Sequence, residues 1–249
     1  MRVLVVLPTY NEAANIDTVL RRVNEAVPEA DLLVVDDNSP DGTAKIAEET
    51  GKSIGGVEVL GRPGKQGLGS AYREGFAWGL GQGYDALVQM DSDLSHDPSS
   101  IPSLLAPLAD GFDAVIGSRY VAGGSIPAWK WYRRLLSRGG NIYSSAMLGL
   151  RVADSTGGFR AYSAGILEQI DLETVRADSY GFQIEMTYRT IRAGGQVKEV
   201  PIRFVDRVEG ISKMSMYTVV EALGLVTWWG FGRLFGQGRR ARPAGKTRA

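Results

Sequence analysis

The stretch Val88-Gln89-Met90-Asp91-Ser92-Asp93-Leu94-Ser95 ends an apolar run, residues 84–90, with two carboxylates one residue apart. Short apolar runs of this kind are typical of a buried strand, so the two aspartates are predicted to follow its carboxyl end. Two ionised carboxylates so close repel each other, and a divalent cation bound between them compensates this repulsion. Mg²⁺ and Mn²⁺ take hard oxygen ligands and commonly combine carboxylates with substrate phosphates. The stretch predicts a metal–diphosphate site, although aspartates that only form a turn or cap a helix give the same pattern.

The segments before this stretch alternate between strand and helix. Apolar runs at 2–7, 32–35 and 57–60 are predicted as strands, with helical patterns between them. Their lack of polar alternation is typical of strands that are covered on both faces. This order of elements predicts an α/β fold, a doubly wound and mostly parallel sheet with helices on both faces.

Three polar clusters follow predicted strands and are expected to meet. The clusters are residues 8–12, 36–41 and 91–95. Parallel strands end at the same edge of a sheet, and ligands bind outside their carboxyl ends. The three clusters therefore predict one binding rim.

The second half of the chain does not continue the regular alternation of strand and helix. A helix is predicted over 129–150, and its Lys130, Arg134 and Arg138 are spaced to share one face. The remaining predicted elements are a loop and short strand from 154, helices near 164–170 and 182–193, a strand at 197–205, a polar loop at 207–213 and an apolar helix at 216–235.

Length and composition narrow the class of protein. The 249 residues suit one large domain with a small appendage. Basic and acidic residues number 28 each, which argues against a nucleic-acid partner. The chain has no cysteine, which excludes disulfides, thiolate catalysis and zinc–sulfur sites, and its single histidine excludes a multi-histidine metal site. No stretch reaches the roughly 18 to 20 apolar residues of a membrane span.

Several motifs allow two interpretations each. Gly67-Leu68-Gly69 fits a phosphate-binding loop or a flexible connection. Asp36-Asp37 fits a capped turn or a contact to a nucleobase or ribose. His96 fits a polar loop residue or a base. Arg207 and Lys213 fit ordinary loop charges or a clamp on a diphosphate, with Arg binding bidentately and Lys as a point charge.

Six motifs together carry a family resemblance. They are Pro8-Thr9-Tyr10-Asn11-Glu12, the run from Val35 to Thr43, the run from Met90 to His96, Gly117-Ser118-Arg119-Tyr120, Gly157-Gly158-Phe159-Arg160 and the run from Arg207 to Lys213. The chain resembles the inverting family-2 glycosyltransferases of GT-A fold, and within these the dolichyl-phosphate or polyprenyl-phosphate mannosyltransferases, in a compact form without transmembrane helices. The resemblance covers residues 2–217.

The resemblance implies roles for single residues. The donor would be bound by Pro8, Tyr10, Glu12, Val35 and Asp37 at the guanosine, and by Asp91, Ser92, Asp93, Arg207 and Lys213 at the diphosphate. The acceptor phosphate would face Arg119, Arg134 and Ser137, and the implied catalytic residues are Asp91, Asp93 and Arg119. Asp91 and Asp93 would hold Mg²⁺ or Mn²⁺. Some relatives carry Gln where this chain has Ser95, which leaves a third protein ligand at Ser95 open.

The implied reaction moves mannose from GDP-α-mannose to a polyprenyl phosphate with inversion, giving polyprenyl β-mannosyl phosphate and GDP. A phosphate monoester is largely a dianion at neutral pH because its second pKa is about 6, so the acceptor needs no strong base. The alternative is a family-2 transferase that uses UDP-glucose or another nucleotide sugar with polyprenyl phosphate.

The same resemblance and the C-terminal composition predict how the chain is organised. Residues 1–213 would form the GT-A catalytic domain, 214–235 an amphipathic helix and 236–249 a basic tail. The helix is predicted to lie in the membrane interface, because it is apolar, carries tryptophans and precedes basic residues. The expected location is peripheral, at the cytoplasmic face of a membrane. Packing of the helix on the catalytic core, or docking through a partner membrane protein, are the alternatives.

Overall fold

Seven strands of the described residues form a single sheet. They are β1 Val3–Thr9, β2 Asp31–Asp36, β3 Val57–Gly61, β4 Ala86–Gln89, β5 Ala114–Ser118, β6 Arg160–Ser163 and β7 Val197–Pro201. Their order across the sheet is β3-β2-β1-β4-β6-β5-β7. The structure is a computed structural model and describes residues 1–205 and 216–234.

Strand direction agrees with a mostly parallel sheet. β1 pairs parallel with β2 and with β4, β2 pairs parallel with β3, and β5 pairs parallel with β7. β6 lies between β4 and β5 and runs antiparallel to both. The predicted α/β fold is confirmed, and the insertion of β6 is the feature that the strand–helix alternation did not predict.

Eight helices accompany the sheet in the described part of the chain. They are α1 Ile16–Ala26, α2 Thr43–Ile54, α3 Leu68–Gly81, α4 Ile101–Ala109, α5 Trp131–Leu148, α6 Ala164–Ile170, α7 Ser179–Arg192 and α8 Met216–Leu234. Buried residues of α1, α2 and α4 pack on one face of the sheet, and those of α3, α6 and α7 pack on the other.

The central strand β1 explains why its sequence lacks polar alternation. Val3, Val5 and Leu7 belong to the core on one face, whereas Leu4 and Val6 belong to the core on the other. Each fully buried side chain of this size contributes about 1.5–3 kcal/mol relative to an exposed one. Both faces of β1 are therefore apolar, and its polar residues are confined to the rim that follows it.

Helix α3 lies unusually close to the sheet. A Cβ atom added to Gly79 would lie 2.7 Å from side-chain atoms of both Leu4 and Leu87. A side chain at this position would push α3 away from β1 and β4. The same helix carries Tyr72 in its second turn, and the Tyr72 hydroxyl reaches Asp91 just beyond the carboxyl end of β4.

A third apolar cluster joins α5, α7 and α8. Its buried members include Leu148 on α5, Ile184 on α7 and Val226 on α8. The hydroxyls of Tyr143 and Thr227 are 2.7 Å apart and connect α5 to α8. The predicted C-terminal helix is thus present, and one of its sides packs on α5 and α7. Among the helices of residues 1–205 and 216–234, none combines the length and apolar character that a membrane crossing needs.

Two predicted segments fall outside the description. The loop that contains Arg207 and Lys213, and the tail over 236–249, lie beyond the described residues. The strand predicted over 197–205 is shorter than expected, since β7 ends at Pro201. Proline has no N–H to donate to a strand ladder, which fits a strand end at this residue. The division into three segments stays a prediction.

Candidate active site

The three polar clusters meet at one rim, as predicted. The Thr9 hydroxyl donates to the Asp36 carboxylate at 2.8 Å, and the backbone N–H of Asn11 donates to the Ser39 hydroxyl at 3.0 Å. The Ser92 hydroxyl donates to the carbonyl oxygen of Pro8 at 3.0 Å. The loops after β1, β2 and β4 therefore form one continuous polar surface at the carboxyl end of the sheet.

Asp36 and Asp37 have different surroundings. The Asp36 carboxylate accepts hydrogen bonds from Thr9, from the backbone N–H of Ser39 at 2.8 Å and from its hydroxyl at 2.6 Å. These bonds fix the turn after β2, in which Asn38 has a positive φ of 57°. Asp36 thus forms the turn, whereas the Asp37 carboxylate is paired with Arg62.

A buried arginine supports Asp37. Arg62 directly follows β3, is only 3% exposed, and forms an ion pair with Asp37. It also donates to Glu74 at 2.9 Å and to the Ser70 hydroxyl at 2.6 Å. Burial raises the pKa of Asp37, and the Arg62 charge opposes that rise. Sequence reasoning missed Arg62, although a cation directly after a predicted strand on this rim was the signal available.

The other residues implied at the nucleoside lie beside this pair. Pro8 and Val35 are direct partners in the register of β1 and β2. The ammonium of Lys65 lies 4.9 Å from the centre of the Tyr10 ring. Glu12 accepts a hydrogen bond from the Asn15 amide at 3.0 Å. The five residues that the resemblance assigns to guanosine thus lie on the neighbouring ends of β1 and β2.

Asp91 and Asp93 are held by neutral donors. The Tyr72 hydroxyl donates to Oδ1 of Asp91 at 3.0 Å, and the backbone N–H of Ser95 donates to Oδ1 of Asp93 at 3.0 Å. Burial and the neighbouring Asp91 charge raise the pKa of Tyr72 well above its ordinary value, so its hydroxyl stays protonated as a donor. Leu94, which directly follows Asp93, has a positive φ of 63°, which turns the chain tightly.

His96 has a role that neither interpretation of the sequence predicted. Its Nδ1 accepts a hydrogen bond from the backbone N–H of Asp91 at 3.2 Å, and its ring stacks on Phe159 at 5.0 Å between centres. An accepting Nδ1 requires the proton of the neutral ring on Nε2. The single histidine is buried and supports the backbone that carries Asp91.

The oxygen atoms of Asp91 and Asp93 fit a hard divalent cation that takes some of its ligands from the protein and the others from a substrate. No group of three or more His, Cys, Asp or Glu side chains in a metal-binding arrangement occurs in the described ranges, so the two aspartates form a pair. A pair is the protein share that Mg²⁺ usually takes beside substrate phosphates. The Ser95 hydroxyl, two residues from Asp93, is buried and has no hydrogen-bond partner within the described part of the chain. It is an oxygen of the kind such a cation accepts, and its role as a third ligand stays a prediction.

Arg119 is anchored on a buried aspartate. Its Nε and Nη2 each donate to the Asp154 carboxylate at 2.7 Å, and its backbone N–H donates to the same carboxylate at 3.0 Å. Burial raises the pKa of Asp154, but the Arg119 charge and hydrogen bonds outweigh it and lower the pKa overall. Sequence reasoning assigned a role to Arg119 and none to Asp154. The signal was an acid at the start of the Gly-rich loop 154–160.

The two other residues implied at the acceptor lie on α5. Arg134 is exposed, and its Nη2 donates to the carbonyl oxygens of Ile126 at 2.7 Å and Pro127 at 3.1 Å. Ser137 is half-buried one turn further along the helix. The Thr156 hydroxyl connects this helix to Arg119, which brings the three implied acceptor residues to one region.

The glycines at 67 and 69 are explained by an internal carboxylate. Asp178 accepts a hydrogen bond from the backbone N–H of Ser70 at 3.3 Å. A Cβ atom at Gly69 would lie 2.8 Å from the Asp178 carboxylate and 2.6 Å from the carbonyl oxygen of Ala177. The first turn of α3 therefore accommodates the protein's own aspartate, which favours the interpretation of this segment as a structural connection.

Comparison with known proteins identifies the family. Residues 4–171 match the family model described as "Glycosyl transferase family 2". The chain belongs to glycosyl transferase family 2. This glycosyltransferase is 49% identical to undecaprenyl-phosphate mannosyltransferase of Micrococcus luteus over 97% of this chain and 99% of the relative. It is 47% identical to polyprenol monophosphomannose synthase of Mycolicibacterium smegmatis over 94% and 89% of the two chains.

A solved structure supports the same fold. Glucosyl-3-phosphoglycerate synthase from Mycobacterium tuberculosis, in complex with Mn²⁺, uridine diphosphate and phosphoglyceric acid, superimposes on this glycosyltransferase with a TM-score of 0.63. The sequence identity is 21%, and the match covers 97% of this chain and 80% of the synthase. The GT-A fold that the resemblance implied is confirmed.

Proposed function

We propose that this glycosyltransferase transfers mannose from GDP-α-mannose to a polyprenyl phosphate with inversion, giving polyprenyl β-mannosyl phosphate and GDP. The observation that carries the proposal is the Asp91 and Asp93 pair at the end of β4, beside the rim formed by β1 and β2. The names of the two relatives that are nearly half identical to the chain support mannose and a polyprenyl phosphate as substrates. GDP-mannose is the donor that the motif resemblance implies.

The donor site would be built from the rim. Pro8 and Val35 would contact the base, and Asp37, fixed by Arg62, would accept hydrogen bonds from the guanosine. Asp91 and Asp93 would hold Mg²⁺ or Mn²⁺ against the diphosphate, where the ion neutralises charge that develops on the leaving GDP. The Mn²⁺ and uridine diphosphate bound to the mycobacterial synthase support a divalent ion in this fold.

Buried neighbours would keep the metal-binding carboxylates in place. Tyr72 holds one oxygen of Asp91, and the His96 ring accepts from the Asp91 backbone. Supporting contacts of this kind orient metal ligands and commonly contribute 10- to 100-fold, in rough terms, to metal affinity or activity. The protein's own part at this site is to fix the two carboxylates before the donor arrives.

The acceptor chemistry needs cations more than a base. A phosphate oxygen of the acceptor attacks the anomeric carbon, the bond from that carbon to the GDP oxygen breaks, and GDP leaves with the electron pair. The acceptor is already largely a dianion near pH 7, since its second pKa is about 6. Arg119 and Arg134 would orient it, and direct displacement converts the α-linked donor into a β-linked product.

A donor panel tests the proposal. The full chain is incubated with a divalent cation, a short polyprenyl phosphate and one of GDP-mannose, GDP-glucose, UDP-glucose or UDP-N-acetylglucosamine. We expect lipid product from GDP-mannose and at most traces from the UDP sugars. Product from UDP-glucose alone would replace this proposal with the alternative donor.

Arg134 provides a prediction about the acceptor. We expect Arg134→Ala to raise the KM for polyprenyl phosphate by about tenfold or more, because a charge-assisted contact contributes about 1.5–3 kcal/mol when desolvated. GDP-mannose affinity should stay the same. Calorimetry with GDP-mannose and steady-state kinetics with both substrates check this. An equal loss of donor affinity would remove Arg134 from the acceptor side.

We infer in addition that the enzyme docks on a membrane surface through an outer face formed by α5 and α8. Both helices expose large apolar side chains. They are Trp131, Tyr132, Leu135, Leu136 and Ile142 on α5, and Leu223, Trp228 and Phe231 on α8. Trp131 is 76% exposed and Trp228 is 77% exposed, which is costly in water and favourable at lipid headgroup depth.

Charge on α5 favours an anionic lipid surface as the occupant. Lys130, Arg134 and Arg138 are exposed on or next to α5. A basic residue near an anionic surface contributes about 1 kcal/mol of attraction. A polyprenyl chain leaves a bilayer only at high cost, so docking would bring the acceptor residues of α5 to the lipid phosphate.

The docking proposal predicts a loss of liposome binding in a double variant. We expect Trp131→Ser with Trp228→Ser to reduce sedimentation with anionic liposomes at low salt by about tenfold or more, because both indoles would leave the interface. The melting temperature and GDP-mannose affinity serve as controls, since both side chains are exposed. Deletion of residues 214–249 is a less clean test, because Val226 is part of a core cluster. Unchanged liposome binding of the double variant would contradict this face as the docking surface, and failure of the full chain to bind liposomes would favour docking through a partner membrane protein.

A further inference from the structure

A polar network connects the end of β5 to α5, and the half-buried Thr156 lies at its centre. The Thr156 hydroxyl accepts hydrogen bonds from Arg119 Nη2 at 2.8 Å and from Asn141 Nδ2 at 3.3 Å. It donates to the Asp154 carboxylate at 3.3 Å. A hydroxyl offers one donor and two acceptor positions, so these contacts use all three.

Asn141 extends the network into α5. Its Nδ2 also donates to the carbonyl oxygen of Ser137 at 3.0 Å, and its Oδ1 accepts from the Ser155 hydroxyl at 2.9 Å. The carbonyl of Ser137 can only accept, so the amide nitrogen must face it, and this fixes the orientation of the amide. Asn141 is buried and is therefore held in a single arrangement by the groups around it.

The Arg119 guanidinium is thus held from two sides. Asp154 fixes it from the loop after α5, with two hydrogen bonds of 2.7 Å. Thr156 and Asn141 fix it to the helix that carries Arg134 and Ser137. This bridge sets the spacing between Arg119, which follows β5, and Arg134 on α5.

We propose that Thr156 and Asn141 are positioning residues for the acceptor phosphate. They hold Arg119, directly after β5, at a fixed distance from Arg134 and Ser137 on α5. One phosphate can engage both elements without reorganisation only if their spacing is set beforehand, and such preorganisation lowers the cost of binding. This inference rests on the proposed function, in which Arg119 and Arg134 orient the acceptor, and on the resemblance, which implies that Ser137 faces it.

A pair of substitutions at Thr156 separates positioning from packing. Thr156→Val keeps the shape and removes the hydroxyl, whereas Thr156→Ser keeps the hydroxyl. We expect Thr156→Val to raise the KM for polyprenyl phosphate by about tenfold, the scale of one lost hydrogen bond next to a buried charge. The KM for GDP-mannose should not change, and Thr156→Ser should restore most of the acceptor KM.

Ser145→Ala is the matched control. The Ser145 hydroxyl donates to the carbonyl oxygen of Val152 at 2.9 Å and so also ties α5 to the chain that follows it. Its hydrogen bonds do not include Arg119 or Thr156. We expect Ser145→Ala to lower the melting temperature about as much as Thr156→Val while leaving both KM values at the wild-type level.

A double variant tests whether the two residues act together. Asn141→Ala combined with Thr156→Val should have the acceptor KM of Asn141→Ala alone within about twofold, because both changes break the same bridge. An acceptor KM equal to the product of the two single effects would overturn the shared bridge.

The outcomes distinguish this inference from the proposed function. If the wild-type enzyme forms no mannosyl lipid from GDP-mannose, the proposed function fails. If the wild type is active and Thr156→Val keeps the wild-type acceptor KM, only the positioning role is overturned. An equal rise of both KM values in Thr156→Val would also overturn it, because that result indicates a general loosening of the fold.

Discussion

Replacing either Asp91 or Asp93 by alanine is expected to lower kcat/KM at least about a hundredfold, the scale on which removal of preorganised charge stabilisation acts. The two carboxylates are separated by one residue and are held by Tyr72 and by the backbone N–H of Ser95. Either substitution would leave one carboxylate to hold the proposed divalent ion against the diphosphate. Initial rates with GDP-mannose and polyprenyl phosphate, measured over a range of Mn²⁺ concentrations, give the loss and the shift in metal requirement.

The control for this experiment is a neighbouring residue that does not carry a metal-binding charge. Tyr72→Phe removes the hydroxyl that donates to Asp91 and keeps the ring in the core. We expect a smaller loss than in the aspartate variants, with a higher Mn²⁺ concentration needed for half-maximal rate. Full activity of Asp91→Ala and Asp93→Ala in the presence of EDTA would contradict a metal at this pair.

The second large effect concerns the Arg119 and Asp154 pair. Arg119→Ala is expected to lower the free energy of unfolding by about 3–5 kcal/mol, because it leaves the fully buried carboxylate of Asp154 without its cation. The acceptor-dependent kcat/KM should fall as well, by about 10- to 100-fold if the guanidinium orients the phosphate. Urea unfolding gives the stability change, and kinetics on the folded fraction gives the activity change.

A double substitution shows how much of the stability loss in Arg119→Ala comes from the unpaired charge of Asp154. Arg119→Leu with Asp154→Leu removes both charges, and replacing a buried ion pair by apolar side chains is often close to neutral for stability. We therefore expect the double variant to be more stable than Arg119→Ala and to show the same loss of acceptor-dependent kcat/KM. If the double variant is less stable than the single one, the pair contributes through packing and the account of the buried charge is wrong.

The pair also predicts a dependence of stability on pH. The folded-state pKa of Asp154 is lowered below its ordinary value, so the folded protein binds this proton less tightly than the unfolded chain. Its contribution to stability is therefore present above the unfolded pKa of about 3.9 and is lost as pH falls through the lower folded pKa. Asp154→Asn should flatten that part of the stability curve, measured by urea unfolding at pH 7 and pH 3. Identical curves for the variant and the wild type would contradict the lowered pKa.

The sequence alone was sufficient for the fold class and for the edge of the sheet at which the polar clusters meet. A strand such as β1 has apolar residues at successive positions and no polar alternation. Both of its faces can be buried only in a sheet that has helices on each side. Polar residues after β1, β2 and β4 then have to share an edge, and the contacts of Thr9 with Asp36 and of Ser92 with Pro8 confirm this. For these elements, the pattern of apolar and polar residues along the chain is enough to predict that the strands end at a common edge of the sheet.

The features that sequence missed depend on contacts between distant segments. Arg62 reaches Asp37 across 25 positions, and Asp154 reaches Arg119 across 35 positions. Spacing within a helix or strand carries no information about such pairs. The support of Asp91 by His96 escaped for another reason, since a lone histidine after a turn has no distinguishing local pattern. Antiparallel β6 escaped because its four residues are too short to show direction.

The configuration of the lipid product tests the central claim most directly. The full chain is incubated with GDP-α-mannose, Mn²⁺ and a short polyprenyl phosphate, and the purified lipid is analysed by NMR through its one-bond carbon–hydrogen coupling at the anomeric carbon. The account predicts a mannosyl phosphate of the β configuration, formed by the wild type and not by Asp91→Ala. An α-linked product, or mannose released only to water, would contradict direct displacement by the lipid phosphate.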